Sequence, residues 1–581
     1  MLAGDRAYAP DPRPYGLCGP RSDRGSNLWR QAQDLGKSGG RCGGRGRACL
    51  PASGAPCGDF GLHTSGHRGG AVLRGAPARG HDRADRRIAR RLRAPNRRHG
   101  PVNVWWAELL TLLIHFGSQV LALLRVLTRP DKPPAVRASW TVLILSVPFL
   151  GVILYILIGE TRLNQRIARK LQATVDALPA PDPVEPEDLA PVTPEYRAAF
   201  ARAAAINGYA PSTGDAITFL PDPSDQLEPL IADIDAATQS VHLITYIWLS
   251  DLTGIAMAEA LTRAAERGVK VRVLVDGLGA RAFIKSRHWK AMKKAGVKTA
   301  IAFSFRWPLF KLATMRIDLR NHRKLAVIDG HVAYAGSRNI ADPEFRIKAR
   351  FAPWTDVMLR IEGPLAAQHQ HIFATDWVTH SHEEISDLVL PTPAAPTARP
   401  GTAVAFATGP MLDTRGVPDV FLAVIGAARE TLTLSTPYFV PGEEIASALR
   451  AAKRRGVRVQ VIVPRRNDSR FVAHAARSFY PVLAEAGVEI WEHGPGLLHA
   501  KTLLADGRVA ILGSANLDRR SFELNYENCV LIEDNELGLA LGERQRHWIA
   551  QARRIGPERI AEWPLHWKII NNLMSVLAPI L

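Results

Sequence analysis

Apolar positions change their spacing several times along the chain. Residues 1–100 show no apolar period, and two long apolar runs follow, Val104 to Leu124 and Ala138 to Gly159. The second carries no charge over 22 residues, which at 1.5 Å per residue spans roughly 30 Å of hydrocarbon. Glu108, His115 and Gln119 interrupt the first. Together they predict a transmembrane hairpin over 101–165, with spans at about 104–124 and 138–159. Trp140 and Tyr155 suit interfacial positions, and Pro148 is tolerable because a packed neighbour can satisfy the carbonyl it frees. The stretch 166–215 includes LPAPDPVEPEDLAPVTPEY and reads as an extended linker.

From there the pattern repeats itself. Residues 234–279 and 425–468 each run helix, strand, loop, helix, then a strand of alternating apolar residues, KVRVLV in one copy and RVQVIV in the other. Strands alternating with helices predict an α/β fold of βαβ units. The halves are expected at 216–390 and 403–555, separated by a Pro-rich break at 391–402. The apolar segment 556–581, with Trp563 and Trp567, fits an interfacial helix and a helix packed on the body equally well.

Composition redistributes the charge rather than adding a function. The net charge is +19, but residues 1–100 hold 20 Lys/Arg against 7 Asp, a net +13 that leaves +6 for the rest. A near-neutral body argues against a nucleic-acid partner. The first hundred residues, rich in Gly, Pro and Arg, bury too little apolar surface to offset ordering entropy and are read as disordered, or as an upstream extension of the reading frame. Four of the five cysteines lie there without zinc-site spacing, and Cys529 is alone in the body, so no disulfide scaffold is expected. Basic residues flank the second span evenly, four against four, so charge leaves the membrane orientation open.

The chemistry sits in a pair of motifs. One is His322-Arg323-Lys324-Leu-Ala-Val-Ile-Asp329 followed by Gly336-Ser337-Arg338-Asn339; the other is His499-Ala500-Lys501-Thr-Leu-Leu-Ala-Asp506 followed by Gly513-Ser514-Ala515-Asn516. On strands, positions i and i+2 share a face, so each His would lie beside its Lys. An imidazole beside an ammonium, with Ser and Asn donors near, suits an anion whose charge grows during reaction. Asp329 and Asp506 fall out of phase and suit a structural part in the motif. Neither motif has metal-ligand spacing, and no metal or cofactor is expected. Gly277-Leu-Gly279-Ala-Arg-Ala282 fits a dinucleotide fingerprint, but no Asp or Glu follows at the distance a ribose needs. His242 and His371 are read as ordinary.

These paired motifs resemble those of the phospholipase D superfamily. The hairpin ending LIGETRL, Asp276-Gly-Leu-Gly279, Trp354-Thr-Asp356, Ser435-Thr-Pro-Tyr438-Phe-Val-Pro441 and Arg520-Ser-Phe-Glu-Leu-Asn-Tyr-Glu527 resemble its bacterial cardiolipin synthases, over about residues 101–581. The resemblance implies two pseudo-symmetric phospholipase D-like α-β-α sandwich halves behind the hairpin, in a multi-pass protein of the bacterial inner membrane. It also implies a nucleophile, His322, and a general acid, His499. Lys324, Lys501, Asn339 and Asn516 would then hold phosphate oxygens, Ser337 and Ser514 would bind or orient, and Glu527 and Asp356 would orient His322 and His499. The implied partners are phosphatidylglycerol and membrane lipids, which give cardiolipin and glycerol through a phosphohistidine. Rival readings are a hydrolase or transphosphatidylase using another alcohol, a nuclease, and an idle membrane-binding scaffold.

Overall fold

The computed structural model describes residues 104–578 except 130–131, 148, 160–172, 174–177, 179–183, 305–317, 382, 384–400 and 411–413. The basic stretch 1–100, most of the linker's beginning and the 391–400 part of the Pro-rich break lie outside the described residues. The end of the expected linker is not extended, because Arg197–Asn207 form a helix whose Phe200 and Ala203 are buried in the core with Tyr196, and Ser212–Thr213 pair with Thr402–Ala403.

Alternating apolar residues in the two copies become the interiors of two sheets. The first has seven strands: β1 (Ala216–Leu220), β2 (Ser240–Thr245), β3 (Lys270–Asp276), β4 (Lys298–Ala302), β5 (Leu325–Ile328), β6 (Val332–Gly336) and β7 (Met358–Glu362). Their spatial order is β1-β7-β6-β5-β2-β3-β4. The second sheet contains β8 (Thr402–Thr408), β9 (Thr431–Ser435), β10 (Arg458–Pro464), β11 (Glu489–His493), β12 (Thr502–Ala505), β13 (Val509–Gly513), β14 (Asn525–Glu533) and β15 (Ala552–Ile555), with these strands in the order β8-β14-β13-β12-β9-β10-β11-β15. The orders β7-β6-β5-β2-β3-β4 and β14-β13-β12-β9-β10-β11 match strand for strand. In each, the last three strands are parallel and the hairpin that follows the His-Lys motif is antiparallel. The two expected halves are therefore present as pseudo-equivalent α/β units.

The helices divide between membrane candidates and core. Helix α1 (Val104–Leu127) matches the first expected span and is long and apolar enough to cross a bilayer. The second expected span, 138–159, is not one helix. It is α2 (Pro134–Ser146), a break after which Phe149 takes φ 60°, then α3 (Leu150–Leu154) running into a π-turn at Tyr155–Gly159. Pro148 lacks an N–H and cannot continue the ladder to Ile144. The chain folds back, bringing Tyr155 to 5.3 Å from Trp140 between ring centroids. A continuous helix would put these residues roughly 22 Å apart. The close return is possible because residue 151 is glycine, where a Cβ would stand 2.6 Å from the Leu143 carbonyl oxygen.

Helix α4 (Leu365–Ser381) buries Phe373 and Trp377 in an apolar cluster that also holds Leu325 and Val327 of the first half and Phe406 and Leu531 of the second. The halves thus share one core, which fixes the two motifs relative to each other. Helix α5 (Arg470–Ser478) packs against α6 (Leu565–Leu577), and His474 Nδ1 lies 2.8 Å from Asn571 Oδ1. The C-terminal segment is both packed and uncovered: Asn571 is buried, while Leu565, Ile569 and Leu573 are exposed.

Candidate active site

Each catalytic-motif histidine is held by the other half. Residues Arg320–Asn321 pair in parallel with Asn525–Tyr526, and Trp354–Thr355 pair in parallel with Leu497–Leu498. These short ladders deliver His322, whose N–H donates to the Tyr526 carbonyl at 2.9 Å, and His499, whose N–H donates to the Thr355 carbonyl at 2.8 Å. The strand expected to carry each His-x-Lys begins only afterwards, at Leu325 and Thr502. His and Lys therefore precede the strand instead of sharing its face, because the inter-half ladder ends where the sheet ladder starts.

The imidazoles face carboxylates across the same boundary. His322 Nδ1 lies 3.0 Å from both Oε1 and Oε2 of Glu527, and His499 Nδ1 lies 2.6 Å from Oδ1 of Asp356. Ser514 donates to Glu527, and Ser337 donates to Asp356 at 2.6 Å. The two serines of the G-S-x-N tails thus orient carboxylates. Asn339 Oδ1 accepts the Ile247 N–H at 3.1 Å, and Asn516 Oδ1 is buried without a partner.

The lysines make the pair asymmetric. Both donate to the carbonyl of their own motif histidine at 2.6 Å. Lys501 Nζ also lies 2.9 Å from His499 Nε2, whereas Lys324 sits 5.5 Å above the Tyr246 ring. An ammonium can only donate, so in this arrangement His499 Nε2 is an acceptor.

Burial sets the protonation states. Desolvation, with help from the Lys324 charge, pushes His322 down to about 4 against the opposing pull of Glu527. His499 is lowered by burial and then by Lys501. Burial lowers Lys501 to about 8 and Lys324 well below its usual range. Asp356 is held near 2 because the fields and hydrogen bonds of His499, Lys501 and Ser337 outweigh its burial. Lys501 also acts on His322 and Lys324 on His499, so both motifs belong to one electrostatic site.

Asp329 and Asp506 stand apart from this chemistry. Both take positive φ at the strand end, 48° and 51°. Asp329 accepts the N–H groups of Thr238, Gln239 and Ser240, each at 2.8 Å. Asp506 accepts those of Arg429, Glu430 and Thr431, together with the Tyr196 hydroxyl at 2.7 Å. Each aspartate therefore pins the start of the strand adjoining its motif.

Comparison with known proteins gives this geometry a family. A family model described as cardiolipin synthase, PLD-like domain, matches residues 230–377 and 421–546, and a phospholipase D-nuclease N-terminal model matches 119–160. Cardiolipin synthase A of Yersinia pseudotuberculosis serotype O:1b (strain IP 31758) is 33% identical over 472 residues, which cover 79% of this chain and 95% of that protein. The chain belongs to the cardiolipin synthase family. As a member, it is a membrane-associated phosphatidyltransferase of the phospholipase D type. Cardiolipin synthase A of Yersinia pestis biovar Antiqua (strain Angola) shares the same identity and coverage. The solved phosphatidylserine synthase of Haemophilus influenzae Rd KW20 is 15% identical, with a TM-score of 0.48, over 63% of this chain and 95% of its own.

Within this cardiolipin synthase family member, sequence reasoning missed one supporting residue and left Asp276, part of a motif that carries the resemblance, without a role. Arg323, the middle residue of its motif, is buried; it pairs with Asp376 and donates to the carbonyls of Glu527 and Thr408, both at 3.1 Å. Its counterpart is Ala500, and that asymmetry was the available signal. Asp276 accepts from the N–H groups of Leu278, Gly279 and Asn321. The apparent dinucleotide fingerprint is thus a turn that fixes the chain just ahead of His322. His242 and His371 bond to Gln370 and Tyr209. Among the described residues no cluster could hold a metal ion.

Proposed function

We propose that the chain makes cardiolipin from two molecules of phosphatidylglycerol through a phosphatidyl-His322 intermediate. The observation that carries this reading is the reciprocal pairing of each buried imidazole with a carboxylate from the opposite half. His322 Nε2 attacks phosphorus, the P–O bond to the headgroup glycerol breaks, and His499 gives that oxygen its proton. The headgroup hydroxyl of a second phosphatidylglycerol then loses its proton to His499 and attacks phosphorus. The N–P bond breaks, and the imidazole is regenerated.

The environment supports this division of labour. Burial keeps His322 unprotonated at neutral pH, as a nucleophile must be. Glu527 fixes its tautomer and stabilises the cation formed on attack. A bound phosphodiester draws Lys501 away from His499 Nε2, and its negative charge favours a proton there. Lys324, Lys501, Asn339 and Asn516 hold the nonbridging oxygens. A buried site at a lipid surface favours a lipid alcohol over water as acceptor. The reading places the enzyme in the bacterial cell membrane with lipid rather than nucleic acid as its partner.

The test is to incubate the purified full chain with phosphatidylglycerol and separate the products. Cardiolipin and glycerol in equal amounts are expected. Phosphatidic acid as the sole lipid product refutes the synthase in favour of a hydrolase, and loss of no activity in His322→Ala and His499→Ala refutes the site.

A further inference from the structure

We infer that the chain crosses the bilayer once, through α1, and that α2 and α3 form a re-entrant hairpin confined to the leaflet next to the catalytic body. A two-span hairpin puts the loop between its helices on the far side of the membrane from whatever follows the second helix. Here that loop touches the body. Lys132 Nζ lies 3.4 Å from Glu523 Oε2, beside the β14 end of the second half. A second tie lies one turn deeper, where Ser139 Oγ donates to the Val576 carbonyl of α6 at 3.1 Å. Helix α6 is itself bound to the body through Asn571 and His474. The loop before α2 and the chain after it therefore share one side.

The lengths agree. Thirteen residues of α2 rise about 20 Å, short of the roughly 30 Å hydrocarbon core. The turn that ends α2 lies level with the middle of α1, since the Phe149 and His115 rings are 3.8 Å apart between centroids. Residues 104–114 of α1 continue past that turn by about 16 Å, with Leu110, Leu113 and Ile114 exposed and Trp105 and Trp106 stacked at the far end. That is the depth of the distal leaflet, with aromatic residues at its interface.

A turn inside hydrocarbon is tolerated only if its backbone is satisfied by protein. Pro148 leaves the Ile144 carbonyl without its i+4 donor, and Gln119 Nε2 of α1 donates to that oxygen at 2.9 Å. The polar residue that weakened the first run is thus the cap for the break in the second. The lipid-facing side is apolar at Leu145, Phe149 and Ile153, and the exposed Leu565, Ile569 and Leu573 of α6 extend it at the surface of the same leaflet.

The inference rests on membrane association but not on the phosphohistidine step, so cardiolipin formation is assayed in the same preparations and reports separately. The full chain, with Cys18, Cys42, Cys49 and Cys57 replaced by serine and buried Cys529 retained, carries an epitope just ahead of α1 and either Thr128→Cys or Glu536→Cys. A membrane-impermeant maleimide and an antibody to the epitope are applied to right-side-out and inverted membrane vesicles. Both cysteines are expected to react in one vesicle orientation, and the epitope only in the other. An epitope on the same side as Glu536→Cys, or Thr128→Cys on the side opposite Glu536→Cys, overturns the inference. Reaction of all three from both sides, as in an assembly that buries α1 against a second copy outside the membrane, overturns it as well.

Discussion

Replacing Glu527 by glutamine tests the inter-half wiring of the site while preserving its shape. Both carboxylate oxygens lie 3.0 Å from His322 Nδ1, and Ser514 and Asn525 also donate to this buried group. Glu527→Gln keeps the volume but removes the charge that opposes the cation formed on His322. A hydrogen bond to a charged group contributes about 1.5–3 kcal/mol net, and the upper end applies where both partners are buried. At 1.36 kcal/mol per tenfold, kcat should fall by about a hundredfold. The change also removes one of the carboxylates that hold up the Lys501 pKa, so the alkaline limb of the pH profile should move to lower pH. The assay is cardiolipin formation in mixed micelles with kcat and KM separated, alongside a melting curve showing that the variant is folded. A folded variant whose kcat stays within about threefold of the parent refutes the proposed role of Glu527.

Asp506→Ala should cost about 2–3 kcal/mol of stability, because three backbone N–H groups and the Tyr196 hydroxyl lose an ionised acceptor; calorimetry should show the fall, while the folded fraction keeps most of its turnover. Arg323→Met leaves Asp376 buried without its cation, and about 3–5 kcal/mol should be lost in chemical denaturation, with cardiolipin formation falling in parallel. For pH, kcat/KM should rise as pH falls from neutrality, because the free enzyme's His499, lowered by burial, then gains the proton it must donate. It should fall again toward pH 4, where His322 is protonated, and drop further above about pH 8 as Lys501 loses its own proton. The stability contribution of His322 has the same acid direction. Its folded pKa lies below the unfolded value near 6.5, so the unfolded chain binds more protons between these values. Stability should therefore fall as pH drops from about 6.5 toward 4, and a His322→Asn variant should lose that part of the dependence in melting curves.

The duplicated architecture was legible because each half repeats a period-2 strand pattern after a helix, and identical motif spacing marked the same place in both. Less visible were the short ladders that carry His322 and His499, since two-residue pairings such as Trp354–Thr355 with Leu497–Leu498 leave no periodic trace. The phase of Asp329 and Asp506 pointed away from the reacting atoms, and positive φ with a ring of backbone donors gives the reason. The second apolar run misled for a physical reason. Its hydropathy reports that residues 138–159 prefer hydrocarbon, not that they form one helix, and Pro148 with Gly151 permits a reversal whose freed carbonyl only tertiary structure shows to be capped by Gln119. Arg323 was passed over because an arginine between two catalytic residues resembles a solvated neighbour until its partners from both halves are seen.

The measurement that bears most directly on the mechanism is mass spectrometry of enzyme quenched during turnover of phosphatidylglycerol, in the parent and in His322→Asn, which lacks the nucleophile. A phosphatidyl adduct, lost in acid as the P–N bond hydrolyses, is predicted in the parent on the peptide that contains His322. An adduct on His499 or on another residue, or turnover with no covalent species at any time, contradicts the account.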